Sequence, residues 1–343
     1  MIRISHYPTM SGDVEFITSE FDIFAQKPVQ TAILETNVVH YKPIAPVDQT
    51  DLEFSIPADS ETYIDLDIKL YVKGKIINSD GKDLDNTDYT AGTNNFLHSL
   101  FSQCSISLNG VNITPSSDLY GYRAYLETLL TYGTDAANSH LTTAYWYVDS
   151  GDLIPNDPTA VDAKNKGFVD RWNRQKQSKV TELYGRLHSD LCNVPQFLLP
   201  GVRLHIKLTK AKDDFFLMNA THTSGTVFKF IDAELIVRRI RPSPKIALAH
   251  YEALSKGFFA RYKLTRVELK TFTLSSGPRA VSINNAVLGV LPKRLLFTMI
   301  KNTDFLGSRT TNPYNFRNYD LTNFALYVNG RQVPSEGVSK YGS

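Results

Sequence analysis

The strongest periodicity in this chain is two. From Thr62 to Ile76 the apolar residues Ile64, Leu66, Ile68, Leu70, Val72 and Ile76 take alternate positions, while Asp65, Asp67, Lys69, Tyr71, Lys73 and Lys75 fill the others. Successive side chains of an extended strand point to opposite faces, so the pattern predicts one long half-buried strand. Val202, Leu204, Ile206 and Leu208 alternate with Arg203, His205 and Lys207 in the same way, and Ile231, Ala233, Leu235 and Val237 keep step within Val227 to Ile240. Arg261 to Leu274 is a weaker strand pattern, and proline and glycine punctuate the runs. A helical period stands out in one place. Leu119, Tyr122, Leu126, Leu129 and Leu130 predict a helix capped by Asp118 and closed by Gly133, and a short helical turn is expected at Asn94 to Leu100. Few other segments read as helical. The fold class is therefore mainly β with minor helix, which at this length points to sandwiches or jelly rolls.

An internal repeat organises these elements. Ile106 to Pro115 reads as two short strands around Asn109-Gly110, and Leu326 to Pro334 reads the same way around Asn329-Gly330, 220 positions later. An Asn-Gly pair suits a type I′ turn, in which both central residues need positive φ. One β unit used twice is the expectation, with the joint at the basic, proline-bearing stretch Arg238 to Lys245. The predicted boundaries are an arm over 1–29, a first unit over 30–241, a linker over 242–253 and a second unit over 254–343. The first unit continues far beyond its hairpin and the second does not, so the second unit is expected to be incomplete, with unpaired strand edges.

Composition narrows the function classes. With 42% hydrophobic and 21% charged residues the chain is a folded globular type, and its +2 formal charge gives no broad positive field for nucleic acid. Any genome contact must be local. The basic run at Arg238 reads as a solvated linker or subunit contact rather than a nucleic-acid site. Cys104 and Cys192 suggest neither zinc nor a disulfide framework, and the N-terminus carries no apolar core of signal-peptide length. A reducing compartment, cytoplasmic or nuclear and not secreted, follows as the expectation. The sequons at Asn112 and Asn219 are then chance matches, and no transmembrane segment is expected.

No catalytic constellation, cofactor site or metal site emerges. Asp65 and Asp67 share one strand face and would suit a cation, but read better as the outer face of an amphipathic strand. His40, His98, His188 and His205 have no partner at recognisable spacing, and Cys104 reads as a small buried apolar residue. Tyr145, Trp146, Tyr147 and Trp172 lie in long loops, as exposed interface anchors or as caps on the local core. A carbohydrate- or ligand-binding β-sandwich and a β-rich enzyme remain the alternatives to a structural role.

Several stretches resemble the major capsid protein of the Polinton (Maverick) and adintovirus group. They are Ser19 to Phe24, Pro28 to Thr31, Val39 to Ile44, Glu61 to Leu66, and Leu97 to Gln103. The longest runs from Leu108-Asn109-Gly110 to Tyr120-Gly-Tyr122-Arg123-Ala-Tyr125-Leu126-Glu127 and on to Tyr132-Gly133. Gly185 to Leu191, Leu198 to Val202, Asn312 to Phe316 and Leu326 to Gly330 continue it. The resemblance implies a double jelly roll of the adenovirus hexon type, with the second roll incomplete here. It implies a non-enzymatic subunit that forms homotrimers, and pseudo-hexagonal capsomers of an icosahedral shell around double-stranded DNA. The partners implied are further copies of itself and a penton or minor capsid protein, with no sequence-specific nucleic acid. The loop from Asp149 to Ser178 would form an outer tower or the trimer seam. The missing strands leave open a non-assembling, decayed genomic copy.

Overall fold

The structure is a computed structural model that describes residues 30–47, 51–114, 117–150, 154–220, 225–275, 277 and 280–339. The predicted arm over 1–29 lies outside the described residues. Strands β1 (Ile33–Tyr41), β2 (Asp51–Ile56), β3 (Tyr63–Ile64) and β4 (Lys69–Asn78) come first. β5 (Ala91–Gly92) and helix α1 (Phe96–Ser99) lead into β6 (Phe101–Leu108), which turns back as β7 (Val111–Asn112). A helical passage follows, with α2 (Tyr120–Thr131), α3 (Thr134–Ala137), a 3-10 turn (His140–Ala144) and α4 (Lys166–Gln175). Next come β8 (Thr181–Arg186), β9 (Leu204–Lys210), α5 (Asp213–Phe216), β10 (Leu217–Met218) and β11 (Thr226–Pro242). Beyond them lie α6 (Pro244–Ser255), α7 (Asn302–Leu306) and the hairpin of β12 (Asn323–Val328) and β13 (Arg331–Ser339).

The pairing of the longer strands is nested. β1 pairs with β11, β2 with β9, β4 with β8 and β6 with β7, all antiparallel. Leaving aside the short β3, β5 and β10, the first strand thus pairs with the eighth, the second with the seventh and the third with the sixth, and the fourth turns back on the two-residue β7. This is one long hairpin. Contacts of β11 with β4 and of β9 with β6 roll it into two sheets, ordered β1-β11-β4-β8 and β2-β9-β6-β7. Such a rolled hairpin is a jelly roll. Its core draws on both sheets: Leu52, Phe54, Ile106 and Ile206 from one, and Leu70, Val72, Phe230 and Leu235 from the other, form one buried cluster. Phe101 and Phe230 stack across the gap with ring centroids 6.1 Å apart. Each large apolar side chain so buried contributes roughly 1.5–3 kcal/mol.

Local chemistry explains where the elements depart from the sequence pattern. All six apolar positions between Ile64 and Ile76 are buried, yet the strand is broken between Ile64 and Lys69, where the Asp65 carboxylate accepts from the Asp67 amide at 3.0 Å. β11 carries a bulge between Phe230 and Asp232. Phe228 and Phe230 therefore point inward, Ile231 is 42% exposed, and Ala233, Leu235 and Val237 resume the inward face. Opposite the bulge Gly74 has no Cβ, and one would fall into the Phe228 ring.

Helix α2 buries a different face from the expected one. Tyr120, Tyr122, Ala124, Tyr125 and Thr128 are buried, while Leu129 and Leu130 are 47% and 66% exposed. Asp118 does not cap it: the N-cap is Leu119, without a side-chain bond, and the C-cap is Tyr132 rather than Gly133. Several helices were not expected, the longest of them α4 and α6. α4 starts at the Asn165 cap, whose side chain accepts from the Phe168 amide, and α6 starts with Pro244 in its first turn, within the predicted linker. The expected strand from Arg261 to Leu274 does not form. Among the described residues no strand lies beside it, and a strand exists only through a neighbour's hydrogen bonds.

Candidate functional site

One edge of α2 builds a polar cluster on the jelly roll. Arg123 donates from Nε to Glu127 Oε1 at 2.9 Å and from Nη2 to Asp190 Oδ1 at 2.6 Å. Glu127 Oε2 lies 2.8 Å from His188 Nδ1, and the His188 ring packs edge-on to His98 at 4.7 Å. His98 Nδ1 in turn bonds the Tyr120 hydroxyl at 3.1 Å. Burial, assisted by the His188 charge, holds His98 well below the usual imidazole range. Burial opposes the charge of Glu127, but the bonds from His188 and Arg123 outweigh it and keep this carboxyl below the usual carboxylate range. The Val267 amide donates to Asp190 Oδ1 at 3.2 Å, so the cluster also receives the chain beyond the roll. Beside it Cys104, Tyr120, Arg123, His188 and Lys270 line a cleft of about 220 Å³, smaller than typical ligand pockets. Burial pushes the Cys104 thiol far up, which disfavours its thiolate form.

The other edge of α2 is aromatic. Tyr125 stacks on Tyr314 at 4.1 Å, Tyr122 stacks on Phe305 at 5.5 Å, and Trp146, Phe215 and Phe316 surround them. Ser99 Oγ and Tyr314 hydroxyl lie 2.7 Å apart. The Asn312 to Phe316 motif is thus an anchor that seats the chain after α7 on the first unit. Tyr122 serves this packing and Arg123 the polar cluster, so adjacent signature residues face different partners.

The four candidate interface aromatics are not exposed. Tyr145, Trp146 and Trp172 are 8%, 5% and 4% exposed, and Tyr147 is half-buried against the core. Trp172 Nε1 donates to the Asp88 carbonyl at 3.2 Å, and the Tyr89 ring meets it edge-on. These rings cap cores within the chain, the second of the two placements the sequence left open, and are not exposed as anchors would be. Arg171, beside Trp172, escaped the sequence reading because an arginine in a polar loop reads as surface. It is fully buried, with Nε on the Gly92 carbonyl at 2.7 Å, Nη1 on the Tyr147 carbonyl and Nη2 on Asp149 at 2.6 Å.

Both Asn-Gly turns have the expected backbone. Asn109 and Gly110 have φ of 48° and 84°, and Asn329 and Gly330 have 50° and 79°. Asn109 also fixes its hairpin to the start of β9, its Oδ1 accepting from the Arg203 amide at 2.8 Å. Tyr132 packs edge-on to His140 at 5.4 Å. The two aspartates of the fourth-strand region are used by cations of the chain: Asp65 by Arg238, and Asp67 by Lys69 and Arg186. Among the described residues no group of three or more His, Cys, Asp or Glu has metal-binding geometry, and no helix is long and apolar enough to cross a membrane.

Each arginine of the basic run is neutralised. Arg238 pairs with Asp65, Arg239 with Asp59, and Arg241 with Glu61 and Glu35. What stays unsatisfied lies further on. Leu248, Tyr251 and Leu254 of α6 are exposed, as are Phe258, Phe259, Phe272, Leu288, Val290 and Phe297 in the extended chain after it. Between α6 and the β1 and β3 edges opens a cleft of about 840 Å³, lined by Leu34, Tyr63, Arg241, His250, Tyr251 and Leu254.

No protein-family profile matches the chain. It is 25% identical to an uncharacterized protein of Caenorhabditis elegans over 298 residues, 84% of this chain and 68% of that one. Among solved structures it is similar to a chain of the Sputnik virophage (10% identity, TM-score 0.40, 68% of this chain and 53% of that one). It is also similar to the Faustovirus major capsid protein (10%, 0.40, 71% and 59%). The mavirus major capsid protein is a third (11%, 0.35, 69% and 53%). The chain spans about half the length of these solved chains.

Proposed function

We propose that this chain is a structural, non-catalytic subunit of a viral or virus-like icosahedral shell, located in the capsid and working by self-association. The observation that carries the reading is the nested eight-strand roll between Ile33 and Pro242, joined to a second Asn-Gly hairpin at the place of the roll's own fourth and fifth strands. In the proposal residues 30–241 are the first of two tandem rolls, 242–253 joins them and 254–343 opens the second. The nested rule then accounts for the bare strand pattern at Arg261 to Leu274. In such a roll the fourth and fifth strands pair with each other, but the first three need the sixth, seventh and eighth. β12 and β13 are paired, and among the described residues between α6 and β12 no strand pairing occurs. The resemblance of the Leu97 to Gly133 and Asn312 to Gly330 stretches to Polinton and adintovirus capsid proteins supports the finer assignment, including homotrimeric pseudo-hexagonal capsomers.

Sedimentation velocity over a concentration series tests this. A species at three times the 38.6 kDa protomer mass is expected, and a monomer up to the solubility limit would overturn the capsomer. A ligand-binding sandwich is the second reading, favoured by the cleft of about 840 Å³ beside α6, a size within the usual ligand range. Saturable binding of a small sugar or apolar ligand there, without self-association, would select it.

A further inference from the structure

The near-neutral total conceals a division of charge along the chain. Between Lys245 and Lys301 stand ten of the 37 basic residues and two of the 35 acidic ones, Glu252 and Glu268, so the remainder of the chain is net acidic. Nine of the ten, Lys245, Lys256, Arg261, Lys263, Arg266, Lys270, Lys293, Arg294 and Lys301, lie among the described residues, and all nine are exposed. Several arginines of the first unit, Arg123, Arg171, Arg238, Arg239 and Arg241, each meet a carboxylate, while its exposed Lys164, Lys179 and Lys229 stand alone and separated along the chain. None of the nine forms an ion pair among the described residues. Exposed rings are interleaved with them: Phe258 and Phe259 between Lys256 and Arg261, Phe272 after Lys270, and Phe297 after Arg294.

We infer that the segment from Lys245 to Lys301 is a sequence-independent nucleic-acid contact, its lysines and arginines on phosphates and its exposed phenylalanines against bases. Uncompensated cations on an extended chain match a linear polyanion, and cations interleaved with aromatic faces are the combination that holds single strands. An anionic membrane fits less well. Among the described residues beyond α6 the segment has no strand partner for its N–H and C=O groups, and such backbone cannot enter hydrocarbon. Any strand that later pairs with the segment leaves its Lys and Arg outside, since these are almost never buried unpaired. The inference rests on the charge division and on exposure among the described residues; if the segment pairs into a second roll, its lysines and arginines carry the contact and its phenylalanines do not.

The test is fluorescence anisotropy with the full chain and labelled random-sequence single- and double-stranded DNA over a salt series. One variant carries Lys263→Gln, Arg266→Gln, Lys270→Gln, Lys293→Gln and Arg294→Gln. A control carries the exposed first-unit changes Lys82→Gln, Lys164→Gln and Lys179→Gln, and circular dichroism checks that both fold. With six or more phosphates engaged, affinity should fall about 10³-fold or more from 50 to 200 mM salt. The five-site variant should lose at least tenfold in affinity and flatten the salt slope, and the control should stay within twofold. Equal binding by variant and control overturns the assignment, as does salt-insensitive binding. Tighter binding to phosphatidylserine vesicles than to either DNA, lost in the same variant, would overturn it in favour of a membrane surface.

Discussion

Replacing Arg171 by methionine should be among the most damaging single changes in the chain. The arginine side chain is 0% exposed and its partner Asp149 is 4% exposed. Its three contacts tie α4 to the Gly92 and Tyr147 carbonyls and to Asp149, whose other oxygen accepts from Asn312 Nδ2 at 3.1 Å. Arg171→Met fills much of the space but leaves a buried carboxylate without its cation and two carbonyls without donors. Removing one member of a buried pair costs about 3–5 kcal/mol, a loss of at least a hundredfold in the folding constant. Urea unfolding followed by tryptophan fluorescence measures it directly, because the chain's two tryptophans, Trp146 and Trp172, lie in the segments that Arg171 joins. Removing both charges with Arg171→Met and Asp149→Leu should recover part of the loss, since the stranded charge is gone. A single variant within about 1 kcal/mol of wild type, or a double variant no better than the sum of the two singles, would refute the reasoning.

Three further outcomes follow from the same geometry. Glu127→Gln should destabilise the protein at pH 7, and the difference should shrink as pH falls. A carboxyl held below its ordinary value gives stability that is full above that value, 4.5, and is lost as acid protonates the folded state, which urea titrations from pH 7 to 3 will read. His98 acts at higher pH than Glu127 and for the opposite chemical reason. The folded state keeps it neutral while the unfolded chain takes up a proton below 6.5, so His98→Phe should reduce the acid sensitivity of unfolding between pH 6.5 and 5. Gly167→Ala should cost about 1–3 kcal/mol or more by thermal melt, because the new Cβ would meet the Val148 carbonyl rather than a movable side chain.

Strands were legible at β4, β9 and β11, whereas β2 and β8 were missed although each buries alternate side chains, and the strand order was not legible. Alternation at Leu70 to Ile76 and at Leu204 to Leu208 depends only on local side-chain direction. Nesting depends on contacts such as Val39 with Val237, almost 200 positions apart, which no local pattern encodes. The bulge at Ile231 was hidden because an extra residue moves an isoleucine outward without disturbing the apolar count. In α2 the leucines looked like the core face, but the tyrosines take it with their larger ring area; the Tyr120 hydroxyl bonds His98, while that of Tyr122 is buried without a hydrogen bond among the described residues. The strand pattern from Arg261 to Leu274 shows the converse limit: alternation marks a segment fit to be a strand, and a neighbour is needed to make it one. Of the signature residues, the Asn-Gly turns were readable from φ requirements alone, whereas the Arg123, Glu127, His188 and Asp190 cluster joins helix and loop residues more than 60 positions apart.

The proposed role is that of a shell subunit. Its most direct test is protein mass spectrometry of nuclease-resistant particles, banded by density from cells that express the gene. The account predicts this chain as the most abundant polypeptide of the band and closed isometric shells by electron microscopy. Particles that lack the chain, or a chain found only at the top of the gradient with unassembled protein, would contradict it.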